Sequence, residues 1–184
     1  MENKSKYLRL LGALKKFLIV YICITGLMPV LNWSQDVLGL GKIGEIGGFF
    51  TTSLSVESLK ALSTGQRLTG WFVESIGSAL FIFVLFSLHK LLELIRKGQP
   101  FSTASISLYE KIARFYLFSI IYDLISRTAM SLITTWHLPV GHKTISVTFG
   151  TDNINNILLA LCLYLIIFLI KQAHQISEEQ RMVI

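Results

Sequence analysis

Four long apolar segments, spread over a chain of only 184 residues, most constrain what this sequence can fold into. A segment of about twenty apolar residues can cross the ~30 Å hydrocarbon core of a bilayer as a helix, at a rise of ~1.5 Å per residue. Four such segments leave little chain for a soluble core, so the sequence predicts an all-α membrane protein with four transmembrane helices. The segments are Phe17–Leu31, Gly70–Leu88, Phe115–Ile133 and Ile157–Ile170.

Composition and flanking residues refine this prediction. Hydrophobic residues make up 52% of the chain and charged residues only 15%, where a typical soluble domain carries about 25% charged residues. The links are too short to fold independently, so we predict a single four-helix domain over residues 1–184, with spans of about 11–31, 69–90, 114–134 and 155–171. Both cysteines, Cys23 and Cys162, lie inside apolar segments, so we expect neither a disulfide framework nor a zinc site. We also expect no other metal site and no cofactor.

Positive charge is distributed unevenly among the links. The segment before the first span and the link between the second and third spans are rich in Lys and Arg, whereas the two other links, although together far longer, hold few. Because short basic links remain in the cytoplasm, we predict cytoplasmic N- and C-termini and a cytoplasmic middle link. The net charge of +6 then reflects topology and attraction to anionic lipid rather than direct nucleic-acid binding. The basic residues concerned are Lys4, Lys6, Arg9, Lys15 and Lys16 at the N-terminus, and Lys90, Arg96, Lys97, Lys111 and Arg114 around the middle link.

The two outer links contain short patterns of their own. Residues 52–56 and 144–149 alternate polar and apolar side chains, which is typical of strands, so the two segments could pair into a small β-hairpin or sheet on the helices. Glu57–Arg67 could also form an amphipathic helix on the membrane surface. Its lipid-facing residues would be Leu59, Leu62 and Leu68.

The middle link predicts a tight turn between two helices. Gly98 suits the left-handed position after a helix C-terminus, Pro100 prevents the helix from continuing, and Ser102 or Thr103 can cap the next helix. Phe101 either packs back against the helices, which is the simpler expectation, or anchors a soluble partner. The candidate partner-docking residues are Arg96, Lys97, Gly98, Pro100 and Phe101.

Three charged residues lie within the four apolar segments, where an unpaired charge costs several kcal/mol. Asp123 and Arg127 are four residues apart and therefore share one face of the third helix. Glu74 in the second helix lies at a comparable depth, so the three residues can form one cluster. Three interpretations remain open: a structural clasp between the second and third helices, a proton or ion pathway, and a ligand site.

Two short motifs resemble those of a known family. The turn Gly98–Ser102 and the end of the fourth span, Leu169–His174 with Ile176–Glu179, are similar to those of bacterial four-helix integral membrane proteins called domain of unknown function twenty-nine seventy-five. The tail Arg181–Ile184 departs from the usual ending of that family. The resemblance implies a multi-pass protein of the inner (plasma) membrane with no established activity. Because many members are encoded beside a small helix-turn-helix regulator, it also implies a cytosolic regulatory partner.

Three classes of function follow from these features. The first, which we favour, is a membrane sensor or regulator that engages a small cytosolic transcriptional regulator. The second is a small transporter or channel, formed by a homo-oligomer, that uses Glu74, Asp123 and Arg127. The third, a membrane-embedded enzyme, is disfavoured because no span carries a His/Glu metal pair at helical spacing and no nucleophile has an evident base.

Overall fold

The computed structural model describes residues 2–34, 56–136, 138–139, 145–147 and 149–182. Within these residues the chain forms five α-helices, of which four are long and apolar enough to cross a membrane. The predicted class, an all-helical protein with four helices long and apolar enough to cross a membrane, is therefore confirmed. The helices are α1 (Glu2–Trp33), α2 (Val56–Ala61), α3 (Thr64–Arg96), α4 (Thr103–Thr135) and α5 (Thr151–Met182).

The long helices extend beyond the spans that apolar composition marks. Helices α3 and α4 have 33 residues each, which corresponds to a length of about 50 Å at ~1.5 Å per residue, against a hydrocarbon core of ~30 Å. Helix α1 begins at Glu2 rather than near residue 11, and α3 begins at Thr64 rather than at 69. Helical hydrogen bonding does not require lipid, so each helix continues past the hydrocarbon until a capping or breaking residue stops it.

The long helices pack in chain order. Helix α3 packs against both α1 and α4, and α4 also packs against α5. Large apolar side chains face outward from these helices, as expected for surfaces that a bilayer covers. On α5 this outward face includes Leu158, Leu161, Leu165 and Phe168. We call the end of the bundle where α3 turns into α4 the turn end, and the opposite end the loop end.

A small apolar cluster closes the loop end. The short helix α2 places Leu59 and Leu62 against the end of α1 and against α4, so both leucines are buried. The predicted surface helix Glu57–Arg67 is therefore wrong: the chain breaks at Ser63, whose side chain caps α3 in a reciprocal capping box with Gln66. The cluster consists of Trp33, Leu59, Leu62 and Met130, with Val73 and Ile133 packed against it.

The predicted outer sheet is not formed by the described residues. Residues 52–55 of the first candidate strand lie outside them, and Val56 begins α2. In the second segment, residues 145–147 and 149 are described and adopt no strand conformation. The backbone N–H of Ser146 donates instead to the hydroxyl of Ser131 on α4, at 3.1 Å, so a helix side chain takes the hydrogen bond that a partner strand would need.

Candidate functional site

Asp123 and Arg127 form an ion pair on one face of α4. The Arg127 Nε donates to one carboxylate oxygen of Asp123 at 2.9 Å, and the two side chains are 31% and 27% exposed. Among the described residues, none bonds to the second Asp123 oxygen or to the two Nη groups of Arg127. The pair thus neutralises both charges and keeps further hydrogen-bonding capacity.

Glu74 binds the end of α1 rather than the Asp123–Arg127 pair with which its sequence position predicts a cluster. One of its carboxylate oxygens accepts a hydrogen bond from the Asn32 side-chain amide and the other from the Trp33 indole N–H, both at 2.6 Å. The Trp33 ring lies against Gly70, one helical turn before Glu74, so closely that a Cβ there would overlap it. Gly70 and Glu74 are four residues apart and share one face of α3, and this spacing is the feature of the sequence that points to a contact at this face.

All three predicted charged residues line a single cavity. It has a volume of about 390 Å³ and lies between α1, α3, α4 and α5. The structure therefore brings Glu74, Asp123 and Arg127 to one space, although Asp123 pairs within α4 and Glu74 bonds to α1. Polar side chains of Ser119, Ser126 and Asn156 also line it.

Aromatic side chains form much of the remaining wall and join the helices across it. Tyr21 of α1 meets Phe81 of α3 edge to face, with ring centroids 6.3 Å apart. The Tyr116 hydroxyl donates to Asn156 on α5 at 3.3 Å. The Tyr122 hydroxyl of α4 donates to the backbone carbonyl of Val73 on α3 at 2.7 Å. A cavity of this size falls within the range of about 300–1,000 Å³ that is typical of small-molecule sites.

The turn between α3 and α4 has the local structure that its residues predict. Helix α3 ends at Arg96 with Lys97 as its C-cap, and Gly98 adopts a left-handed conformation with φ of 78°. The backbone N–H groups of Gly98 and Gln99 donate hydrogen bonds to the carbonyls of Ile95 and Leu94, respectively, both at 3.0 Å. We call residues Arg96–Ser102 the basic turn.

Phe101 is exposed, which makes the expectation that it packs back against the helices wrong. The buried Ser105 explains this conformation, because its hydroxyl donates to the Gln99 carbonyl at 2.6 Å and contacts the Ser102 hydroxyl at 3.0 Å. These bonds, with Ser102 capping α4, satisfy the turn internally and leave the Phe101 ring 57% exposed. Arg96 and Lys97 are exposed beside it, and Pro100 is half-buried.

Ion pairs connect neighbouring helices at the turn end. Lys15 of α1 lies 3.5 Å from Glu93 of α3, and Lys97 lies 3.4 Å from the same carboxylate. Lys171 of α5 pairs with Glu110 of α4. Exposed ion pairs of this kind are screened by solvent and contribute little to stability, so they align the helix ends more than they stabilise the fold.

Comparison with known proteins gives one match. A family model described as "Protein of unknown function (DUF2975)" matches residues 56–184, well over half of the chain. The matched range contains the basic turn and the α3, α4 and α5 walls of the cavity, whereas α1 precedes it. This match confirms the resemblance to that family that the Gly98–Ser102 turn and the end of the fourth span indicate. No curated protein and no solved structure matches the chain.

Proposed function

Because this chain belongs to DUF2975, a family of unknown function, and has four helices able to cross a membrane, we propose that it is a multi-pass membrane sensor or regulator that engages a small cytosolic transcriptional regulator. One observation supports this proposal above the others. Helices α3 and α4 pack together along the bundle, and the same two helices line the charged cavity and join at the basic turn. A change in the packing of α3 against α4 would therefore alter both the cavity and the basic turn.

The proposal includes an orientation in the inner (plasma) membrane. Both termini and the basic turn face the cytoplasm, and the loop end faces outward. The support is the density of Lys and Arg at the turn end compared with the longer links at the loop end. In this orientation the cavity lies toward the outer side of the membrane, and the exposed Phe101 ring faces the soluble interior of the cell.

The basic turn has the features of a small docking surface. An exposed aromatic ring on a rigid, internally hydrogen-bonded turn can enter an apolar pocket of a partner with little loss of conformational entropy. The exposed Arg96 and Lys97 beside Phe101 would favour a partner with an acidic rim around that pocket. The charges alone would also attract anionic lipid, so Phe101 is the residue that separates the two kinds of contact.

Coupling would run through the contact between α3 and α4. The hydrogen bond from Tyr122 to the Val73 carbonyl crosses this contact beside the cavity. A stimulus that favours one position of Tyr122 would shift one helix against the other, and shifts of about 1–2 Å are common in such switches. The stimulus must bind the two packing states with different affinity to have this effect.

Affinity purification of the tagged protein in mild detergent tests the proposal. A small helix-turn-helix protein, identified by mass spectrometry, should co-purify with the wild type and be lost with Phe101→Ala, which keeps every charge. Phe118→Ala provides the matched control, since Phe118 is similarly exposed but lies within α4. Absence of such a partner from the wild type, or equal recovery with Phe101→Ala, would contradict the proposal.

The cavity also favours a second candidate function, a small oligomeric transporter or channel. Glu74, Asp123 and Arg127 would form its charged path. Several copies would be needed because four helices with one polar stripe enclose little lumen. Proteoliposomes with a pH-sensitive dye test this function. Proton flux that disappears when Asp123 is changed to Asn would favour transport over regulation.

A further inference from the structure

The Asp123–Arg127 pair presents a ready recognition surface to the cavity. Its single hydrogen bond uses Arg127 Nε and one Asp123 oxygen. This leaves the two Nη groups and the second carboxylate oxygen, to which no described residue bonds. Two guanidinium N–H groups in a plane match the two oxygens of a carboxylate. The remaining Asp123 oxygen can accept a hydrogen bond from an ammonium group in the same ligand.

Electrostatics at membrane depth restrict the charge of such a ligand. Asp123 and Arg127 together are neutral, and the Glu74 carboxylate on the same cavity wall already accepts hydrogen bonds from Asn32 and Trp33 on both of its oxygens. A further net charge brought into this environment is unfavourable. A ligand with only a carboxylate would compete with Asp123 for Arg127, and a ligand with only an ammonium would compete with Arg127 for Asp123. A ligand that carries both groups satisfies each partner and adds no net charge.

The walls of the cavity suit the rest of such a molecule. The four aromatic rings can bury an apolar side chain, and they can also receive an ammonium group through cation–π contact. The volume of about 390 Å³ accommodates a ligand of amino-acid size. The rings belong to Tyr21, Phe81, Tyr116 and Tyr122.

We infer that this cavity binds a small zwitterion, with its carboxylate on Arg127 and its ammonium group between Asp123 and the aromatic walls. The inference deepens the proposed function by naming the chemistry of the stimulus, and it rests on that function for its biological meaning. Binding itself is a property of the purified chain and requires no cytosolic partner, so its failure is distinguishable from failure of the docking experiment.

Three probes that share a phenyl ring test the charge requirement. L-Phenylalanine carries both charges, 3-phenylpropionate only the carboxylate, and phenethylamine only the ammonium group. Equilibrium dialysis against the full chain in nanodiscs should show saturable binding of L-phenylalanine, at least about tenfold tighter than binding of either other probe, because each lost charged contact is worth about one order of magnitude. Equal or tighter binding of a singly charged probe, or no saturable binding of L-phenylalanine, would overturn the inference.

A double variant that leaves the net charge unchanged tests whether Asp123 and Arg127 bind the ligand. Asp123→Leu combined with Arg127→Leu removes both groups without leaving an unpaired charge, and it should abolish L-phenylalanine binding while the protein still elutes as a single folded species. Glu110→Leu combined with Lys171→Leu makes the same change at the α4–α5 pair of the turn end, outside the cavity, and should retain binding. Retained affinity in the first double variant would overturn the assignment.

Discussion

At the scale of single residues, Glu74 and Trp33 show how a carboxylate is accommodated at membrane depth. Two short hydrogen bonds from Asn32 and Trp33 satisfy its oxygens, and hydrogen bonds to ionised groups are about twice as strong as neutral ones. The indole can reach Glu74 only because Gly70 offers no side chain beneath it. The contact between α1 and α3 at the loop end therefore depends on the absence of a side chain at Gly70 as much as on the charge of Glu74.

The residue-scale prediction is that Gly70→Ala destabilises the protein. The added Cβ collides with the Trp33 ring, so α1 and α3 must separate or the bond to Glu74 must lengthen, at a cost of about 1–3 kcal/mol in the free energy of unfolding. Thermal unfolding in detergent, followed by intrinsic tryptophan fluorescence, measures this change.

Gly65→Ala is the matched control for that experiment. Gly65 lies near the start of the same helix, and a Cβ there meets no atom within 4 Å. Its unfolding temperature should be equal to that of the wild type or slightly higher, since Ala is the better helix former. Equal stability of the two alanine variants would show that Trp33 does not lie on Gly70.

At the scale of elements, the α3–turn–α4 hairpin is the most self-contained part of the fold. Its turn is closed by backbone bonds at Gly98 and Gln99, and the cap of α4 is bonded to Ser105. These contacts join residues that are close in sequence, so they can form independently of the other helices. Rigidity of this kind is what a docking surface needs, because a flexible turn would lose entropy on binding.

The element-scale prediction concerns Gly98. A Cβ at this position meets no neighbour, so Gly98→Ala changes only the backbone energy, and the left-handed conformation should cost about 1–2 kcal/mol. Detergent melting should show a loss of this size. Gly12→Ala, in the interior of α1 with equally open space, should show none. An unchanged melting temperature for Gly98→Ala would mean that the turn adopts another conformation in solution.

At the scale of the whole molecule, polar and apolar residues are distributed in the opposite way to those of a soluble helix bundle. The described helices turn large apolar residues outward and place three tyrosines, several serines and a partly exposed ion pair around the cavity between them. In a bilayer the outward face needs no protein partner, while interior polar groups must find one another. Charged side chains inside such a bundle are costly unless they are paired, and here Asp123 pairs with Arg127 while Glu74 accepts hydrogen bonds from Asn32 and Trp33.

The whole-molecule prediction is the orientation. Reporter fusions after Lys97 and at the C-terminus should behave as cytoplasmic, and a fusion after Lys143 should behave as external, because basic links are retained inside. A reporter pair of alkaline phosphatase and green fluorescent protein, active on opposite sides of a plasma membrane, measures both outcomes. An external signal after Lys97 would reverse the orientation and remove the cytosolic docking surface.

The sequence by itself determined the features that depend on local chemistry. Four helices follow from apolar length, and the turn follows from Gly98, Pro100 and Ser102, because capping and chain termination involve only residues close in sequence. The pairing of Asp123 with Arg127 follows from helical spacing in the same way.

Only the tertiary structure decided the contacts between elements. The bonds from Glu74 to α1, the burial of Leu59 and Leu62, the exposure of Phe101 and the cavity between four helices all depend on which faces meet. In a membrane protein almost every helix face is apolar, so hydrophobic periodicity carries little information about which face points inward. Shape, small residues such as Gly70 and the pairing of a few polar groups decide that instead.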